Sequence, residues 1–180
     1  MEALIVVDVQ NDFCPGGALA VRGGDEILDE VNRLAAQAPL VIATRDWHPS
    51  DHRSFAEQGG PWPVHCVRDT PGAQLHPGLL TRIDATIDKG QTPEREGYSG
   101  FEHTALESLL RDHGVKTVDI VGLALDYCVK ATALDARKAG FDVVVHRDAT
   151  RAVNVAPGDD ERAVEELRAA GVKVVANGRA

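Results

Sequence analysis

Short, uninterrupted runs of apolar residues, many of them β-branched, alternate along the chain with segments of helical spacing. Because the runs lack an alternation of apolar and polar positions, they are typical of strands that are buried on both faces of a sheet. The predicted strands are residues 4–7, 40–43, 85–88, 118–121, 143–145 and 172–175, of which 85–88 carries the weakest signal. The predicted helical segments, with apolar residues every three or four positions, lie around 27–34, 106–110, 129–136 and 164–167.

This order of elements predicts an α/β fold in a single domain, with a mostly parallel, doubly wound sheet covered by helices. In such sheets ligands bind beyond the carboxyl ends of the strands. The residues that follow the predicted strands are Asp8, 44–46, Lys89, 122–128 and 146–148. We therefore expect the functional groups to lie among them.

The segment from about residue 45 to 83 shows no regular pattern, and a loop of this length inside a domain is usually functional. It holds four of the seven histidines, and we expect a metal ion to hold it in place. Asp46 and His48 would project to the same side of an extended backbone, and His65 or His52 could complete the set. Two histidines and a carboxylate bind zinc, iron or manganese and leave open positions for water or substrate.

Cys128 lies at the start of a predicted helix over 127–139, for which Asp126 is a suitable N-cap. A helix N-terminus stabilises a thiolate, although most free cysteines are simply small buried apolar residues. Asp8 and Lys89 are expected at the same edge of the sheet. A carboxylate there can act as a base toward the thiol, and an ammonium can keep that carboxylate ionised.

The amino-acid composition limits the kinds of molecule that the protein is expected to bind. With 19 Lys and Arg against 28 Asp and Glu, the net charge is −9, which argues against nucleic acid and against an anionic membrane surface. Three cysteines are too few for a disulfide scaffold, so we expect a reducing, cytoplasmic setting. No apolar stretch has membrane-spanning length, and the N-terminus does not resemble a signal peptide. A small-molecule substrate fits this balance, and the sequence leaves open whether the chain forms a homo-oligomer.

Taken together and in order, the motifs resemble those of the nicotinamidase/pyrazinamidase family, within the isochorismatase-like cysteine hydrolases. The matching segments cover nearly the whole chain: DVQNDF (8–13), DWHP (46–49), WPVHC (62–66), KG (89–90), YSGF (98–101) and GLALDYCV (122–129). The resemblance implies a three-layer α/β/α fold. It also implies hydrolysis of nicotinamide, and of pyrazinamide, to the acid and ammonia through a cysteine thioester, in NAD salvage.

The resemblance further implies roles for individual residues. It implies that Asp8, Lys89 and Cys128 form a catalytic triad and that Phe13, Trp62 and Tyr98 line the substrate pocket. It also implies that Asp46, His48 and His65 bind one divalent metal ion, with zinc favoured over iron or manganese. The backbone N–H groups of Ala124 and Cys128 would form the oxyanion hole, after a cis peptide bond between Leu123 and Ala124.

Three points depart from the family pattern or stay open. Leu125 stands where the family often has threonine. The fourth metal position varies between histidine and glutamate in relatives, and His52 is a nearer candidate than Glu57. Cys66 adjoins His65, and Cys14 adjoins the pocket residue Phe13, but neither thiol has an assigned role.

Two other functions compete with this interpretation. An N-carbamoyl amidase of the same superfamily would keep the cysteine without needing the Asp-x-His metal loop, and an isochorismatase-type hydrolase would lack the thiol. A phosphoacceptor or binding module of another class also places Asp and Lys at strand ends. Such modules are shorter, and they carry paired acids after the first strand and no histidine-rich loop.

Overall fold

The core of the structure is a parallel sheet whose strands form where the continuous apolar runs lie. The computed structural model describes residues 1–176. The strands are β1 (Glu2–Val7), β2 (Val41–Asp46), β3 (Ala85–Lys89), β4 (Thr117–Leu123), β5 (Asp142–Arg151) and β6 (Lys173–Val175). The helices are α1 (Leu28–Ala35), α2 (Leu106–Asp112), α3 (Lys130–Lys138) and α4 (Asp159–Ala169).

All neighbouring strands of this sheet pair in parallel, in the order β3-β2-β1-β4-β5-β6. The predicted α/β fold with a doubly wound sheet is therefore confirmed. Each predicted strand overlaps an observed one, including the weak segment 85–88. The main difference is at β5, which continues six residues beyond Val145 after an irregularity in its register with β4.

The two faces of the sheet are covered by separate layers, which explains why the strand runs are apolar throughout. In β1, Ile5 and Val7 pack into the layer that contains α2, α3 and α4. Leu4 and Val6 point the other way, into the layer that contains α1. All four side chains are at most 2% exposed, and each is worth roughly 1.5–3 kcal/mol of burial free energy. The result is a three-layer α/β/α arrangement.

The helix that carries Cys128 begins differently from the prediction. A π-helical turn, Leu125–Val129, precedes α3, and no side chain caps it. Instead, the Asp126 carboxylate accepts hydrogen bonds from the backbone N–H groups of Val153 and Asn154, both at 2.9 Å. The predicted N-cap is therefore wrong, because two donors from a segment that follows β5 occupy the carboxylate.

The long segment between β2 and β3 has only two short 3₁₀ turns, Ala56–Gln58 and Pro71–Ala73, and three isolated bridges that involve it. The prediction of an irregular loop is thus confirmed, although β2 extends through Asp46. No helix within residues 1–176 has the length and apolar content needed to cross a membrane.

Buried side chains from the first loop hold this long segment in place. The Gln10 amide, fully buried, donates to the carbonyls of Asp46 and Ala73 at 2.9 and 2.8 Å and accepts the Asp46 N–H at 2.9 Å. The Asp12 carboxylate accepts the N–H of Cys66 at 2.7 Å. The expectation that a metal ion holds the loop is therefore incomplete, since hydrogen bonds with these two side chains also anchor it, at Asp46, Cys66 and Ala73.

Candidate active site and metal centre

Three groups meet at the carboxyl edge of the sheet, as the strand-end positions predicted. Asp8 directly follows β1, Lys89 is the last residue of β3, and Cys128 lies in the π-helical turn after β4. The Lys89 Nζ atom lies 2.8 Å from Asp8 Oδ2 and 3.5 Å from Cys128 Sγ. A carboxyl oxygen of Asp8 also lies within 4.8 Å of the Cys128 sulfur. Pairing of β1 with β2 and β4, and of β2 with β3, therefore assembles the three residues.

Neighbouring groups fix the orientation of Asp8 and Lys89. The Thr44 hydroxyl donates to Asp8 Oδ1 at 2.7 Å, and the Lys89 ammonium donates to the carbonyl of Gly97 at 2.8 Å. Asp8 has a φ of 48°, in the left-handed region that few side-chain-bearing residues adopt. This conformation turns the chain sharply at the end of β1.

Burial sets the protonation state of the nucleophile. Burial raises the pKa of the Cys128 thiol well above its ordinary value, although the Lys89 ammonium opposes the shift. Burial likewise raises the pKa of the Asp8 carboxyl, against the lowering effect of Lys89. Both shifts disfavour the charged form of a desolvated group. The thiol is therefore neutral at rest and needs a base within reach, and Asp8 is in that position.

A second cluster, of Asp46, His48 and His65, lies beside this set. Asp46 Oδ2 is 3.3 Å from Nε2 of His48 and 3.8 Å from Nε2 of His65, and all three side chains are buried. Their potential ligand atoms lie within 4.8 Å of one another. Two imidazoles and one carboxylate at this spacing form a donor set for a divalent metal ion.

The hydrogen bonds at Nδ1 of the two imidazoles leave their Nε2 atoms available for a metal ion. Nδ1 of His48 contacts the carbonyl of Gly90 at 2.8 Å, and Nδ1 of His65 contacts the carbonyl of Pro63 at 2.8 Å. A carbonyl only accepts, so each Nδ1 carries a proton there, and Nε2, the nitrogen that faces Asp46, is the atom that can bind a metal ion. This outer contact is the usual partner of a histidine that binds metal through its other nitrogen. The residues present therefore fit a metal ion.

Asp46 joins the two clusters electrostatically. Its Oδ1 atom lies 2.5 Å from the Lys89 ammonium, while Oδ2 faces His48 and His65. Burial acts to raise the pKa of Asp46, but Lys89 and then His48 outweigh it and hold the pKa well below the ordinary value. The carboxylate is therefore ionised, as a metal ligand must be.

Neither candidate for a fourth ligand joins the cluster. The His52 ring stacks on the His48 ring, with centroids 3.8 Å apart. Both ring nitrogens of His52 are hydrogen-bonded, Nδ1 to the Ser54 hydroxyl and Nε2 to the carbonyl of Arg95, each at 2.7 Å. Glu57 is exposed in a short 3₁₀ turn. His52 was a reasonable candidate by sequence spacing, but the segment that contains Arg95 folds over it.

Cys128 and the second cluster, Asp46, His48 and His65, line one pocket. Its lining includes the three residues expected from the sequence, Phe13, Trp62 and Tyr98. The Trp62 indole N–H donates to the Tyr98 hydroxyl at 3.0 Å, so the two rings are held together. The backbone of Ala124 also lines the pocket, next to Cys128, and the Leu123–Ala124 peptide bond is cis as the resemblance implied.

Sequence reasoning missed part of this lining. Tyr127 packs edge-on against Trp62 with ring centroids 5.0 Å apart, and an apolar side of the pocket comes from further residues: Leu19, Val21, Leu123 and Val153. Tyr127 adjoins Cys128 in sequence, which could have pointed to it, whereas no local pattern indicates Val153. Leu125, the departure from the family pattern, is fully buried in the core and does not line the pocket.

The remaining two thiols are both free and buried. Burial, with a contribution from Asp25, raises the pKa of Cys14 to about 11. Burial, with Asp46 adding to it, raises the pKa of Cys66 well above its ordinary value. Neither thiol lines the pocket that contains Cys128.

Comparison with known proteins identifies the family of this chain. The profile of the Isochorismatase domain family matches residues 2–177. The nicotinamidase of Escherichia coli is 44% identical, with the alignment covering 94% of this chain and 92% of that protein.

Two solved structures are similar over nearly their full length. The pyrazinamidase of Pyrococcus horikoshii, in complex with zinc, is 50% identical with a TM-score of 0.89, over 97% of this chain and 98% of that one. PnC1 from L. infantum, in complex with nicotinate, is 44% identical with a TM-score of 0.93, over 98% of this chain and 92% of that one. The fold is that of isochorismatase-like hydrolases, and the chain belongs to the isochorismatase domain family.

Proposed function

We propose that the protein is a nicotinamidase, an amidohydrolase that converts nicotinamide, and also pyrazinamide, to the carboxylic acid and ammonia. One observation carries the proposal: Cys128, which lies beside the buried Asp8 and Lys89, lines the same aromatic pocket as the candidate metal ligands Asp46, His48 and His65. The identity of 44% to a nicotinamidase and the nicotinate held by a similar structure support the same substrate class.

The reaction begins with a proton transfer. The Cys128 thiol gives its proton to the Asp8 carboxylate as the sulfur attacks the carboxamide carbon. Because burial raises the pKa of the Asp8 carboxyl, the proton moves to a stronger base than an ordinary carboxylate. Lys89 stays 2.8 Å from Asp8 and stabilises the negative charge while it lies on either the carboxylate or the sulfur.

The attack forms a carbon–sulfur bond and moves the carbonyl electron pair onto oxygen. The backbone N–H groups of Ala124 and Cys128 are the donors for that oxyanion, and donors placed in advance cost no reorganisation during the reaction. When the tetrahedral intermediate collapses, the carbon–nitrogen bond breaks, and Asp8 returns its proton to the departing nitrogen. Ammonia leaves, and the acyl group remains on Cys128 as a thioester.

In the hydrolysis of the thioester, a water molecule is the nucleophile and the Cys128 sulfur is the leaving group. Asp8, again a carboxylate, takes a proton from a water molecule that attacks the thioester carbon. The new carbon–oxygen bond replaces the carbon–sulfur bond, and the sulfur leaves as a thiolate that recovers the proton from Asp8. Nicotinic acid is released and loses its proton to the solvent to give nicotinate, and the neutral thiol that burial favours is restored.

Asp46, His48 and His65 would hold a divalent metal ion, for which we propose zinc, with iron and manganese as alternatives. When bound, such an ion supplies Lewis-acid chemistry and a fixed point for the substrate ring or for a water molecule. The aromatic side chains of Phe13, Trp62 and Tyr98 position the ring of the substrate. Three buried, free thiols suit a reducing environment, and we place the protein in the cytoplasm, in the recovery of nicotinamide for NAD synthesis.

An ammonia-release assay tests the proposal. The purified protein, supplied with zinc, is compared on nicotinamide, pyrazinamide and an N-carbamoyl amine. We expect turnover of the two aromatic amides, loss of at least about a thousandfold in kcat for Cys128→Ala, and little change for the matched control Cys14→Ala. Acid quenching followed by mass spectrometry should find the nicotinoyl group on the peptide containing Cys128. Preference for the N-carbamoyl substrate, or full activity of Cys128→Ala, would overturn the proposal.

A further inference from the structure

Asp126 occupies a position between the proposed oxyanion donor Ala124 and the nucleophile Cys128, but it takes no part in the chemistry above. Its side chain is buried, with 6% of the residue exposed. Each carboxylate oxygen accepts one backbone N–H at 2.9 Å, Oδ1 from Val153 and Oδ2 from Asn154. A buried carboxylate with two backbone donors forms charge-assisted bonds, which are stronger than neutral ones. Asp126 therefore fastens the segment after β5 to the nucleophile turn.

The segment that Asp126 holds forms part of the pocket. Val153 lines the pocket and packs against the apolar cluster that includes Phe13 and Leu123. Asn154 has a φ of 52°, and its side-chain oxygen accepts the N–H of Asp160 in the first turn of α4 at 2.9 Å. The segment is thus attached to the nucleophile turn on one side and to α4 on the other.

We propose that Asp126 is a positioning residue that holds Val153 as one wall of the substrate pocket, and that Val153 limits which ring substituents the pocket accepts. This inference rests on the proposed function, because it names what restricts the size of the aromatic amide. Asp126 acts only through Val153 and does not touch the reacting atoms.

The number of acceptor atoms explains why a carboxylate is needed at position 126. An asparagine at this position has one acceptor oxygen and an NH2 group that only donates, so one of the two backbone N–H groups would face an N–H group instead of an oxygen. The wall segment would then move away from the turn. The turn itself has its own backbone bonds, from the N–H groups of Tyr127 and Val129 to the carbonyl of Ala124, both at 3.1 Å. These bonds keep Cys128 in place when the carboxylate is replaced.

Steady-state kinetics of three variants test this inference. Asp126→Asn and Val153→Ala are compared with Asp135→Asn, an acid-to-amide change in α3 at a carboxylate that pairs with Lys138. We expect both Asp126→Asn and Val153→Ala to raise KM for nicotinamide about tenfold, with kcat within about threefold of the wild type. Both should also raise kcat/KM for 5-methylnicotinamide relative to nicotinamide. Asp135→Asn should resemble the wild type in every constant.

A double variant and a measurement without substrate complete the test. If Asp126 acts through Val153, adding Asp126→Asn to Val153→Ala should change KM by less than about twofold. Backbone amide exchange at Val153 and Asn154 should become faster in Asp126→Asn than in the wild type.

A fall in kcat at unchanged KM would overturn the inference, as would unaltered discrimination between the two amides or unaltered amide exchange. Absence of nicotinamide turnover by the wild type would instead contradict the proposed function, whereas the exchange measurement would still test the role of Asp126.

Discussion

Replacing Lys89 with methionine should destabilise the protein far more than the loss of a surface lysine. Lys89 is 1% exposed and lies 2.8 Å from Asp8 and 2.5 Å from Asp46, which are 0% and 5% exposed. At an effective dielectric constant of about 20, each contact is worth roughly 6 kcal/mol of attraction, and desolvation of the charged groups offsets much of it. Methionine preserves most of the volume but leaves two buried carboxylates without their cation. We expect a loss of about 3–5 kcal/mol in the free energy of unfolding.

The pH dependence of this loss has a definite sign. Burial already raises the pKa of Asp8, and Lys89 opposes that shift, so removing Lys89 should raise the pKa further. A carboxyl whose pKa is higher in the folded state binds more protons there, and stability falls as the pH rises from the ordinary carboxyl range through the folded pKa. The penalty of Lys89→Met should therefore be larger at pH 8 than at pH 5.

Denaturant unfolding of the metal-free protein at the two pH values measures this penalty. The matched control is Lys138→Met, because Lys138 is exposed and its ion pair with Asp135 is at the surface. The control should change the free energy of unfolding by less than about 1 kcal/mol. A penalty for Lys89→Met as small as that of the control, or one that grows toward acid pH, would refute the reasoning.

Two further predictions concern the metal cluster and its support. His65→Ala removes one of three candidate metal donors, so elemental analysis after dialysis against zinc should find less than one tenth of the wild-type metal content. The control His113→Ala, at an exposed histidine, should keep the wild-type metal content. Equal metal content in the two variants would contradict the proposed ligand set. Asp12→Ala removes the acceptor of the Cys66 N–H and should lower the free energy of unfolding by about 2–3 kcal/mol, against about 0.5 kcal/mol or less for the exposed Asp51→Ala. Equal effects of the two aspartate variants would refute that role.

The sheet was predictable from sequence because its strands are buried on both faces. In β1 the five consecutive residues from Ala3 to Val7 are apolar and buried, and such a continuous run is typical of a strand that is covered on both faces. Since parallel strands end at one edge, Asp8 and Lys89 could be placed together without knowledge of the intervening structure. The same reasoning located Asp46 at the end of β2.

The contacts that sequence reasoning missed are those between irregular segments. His52 has the right spacing for a metal ligand, but the carbonyl of Arg95 from a segment more than forty residues later occupies its Nε2 atom. Asp126 has the right position for an N-cap, but the N–H groups that follow β5 occupy its carboxylate. Hydrogen bonds of this kind depend on where loops cross in space. Local periodicity and capping preferences carry no information about such crossings.

Because β1 lies between β2 and β4, the site is complete only after β4, a strand made late in synthesis, has paired with β1. Asp8 directly follows β1, Asp46 is the last residue of β2, and Lys89 is the last residue of β3. Cys128 arrives with the turn after β4, which pairs with β1 through residues more than a hundred positions apart. Pairing at such long sequence separation is slow to form. As the chain leaves the ribosome, Asp8 and Lys89 are therefore made before Cys128, and the thiol meets its base only when β4 pairs with β1.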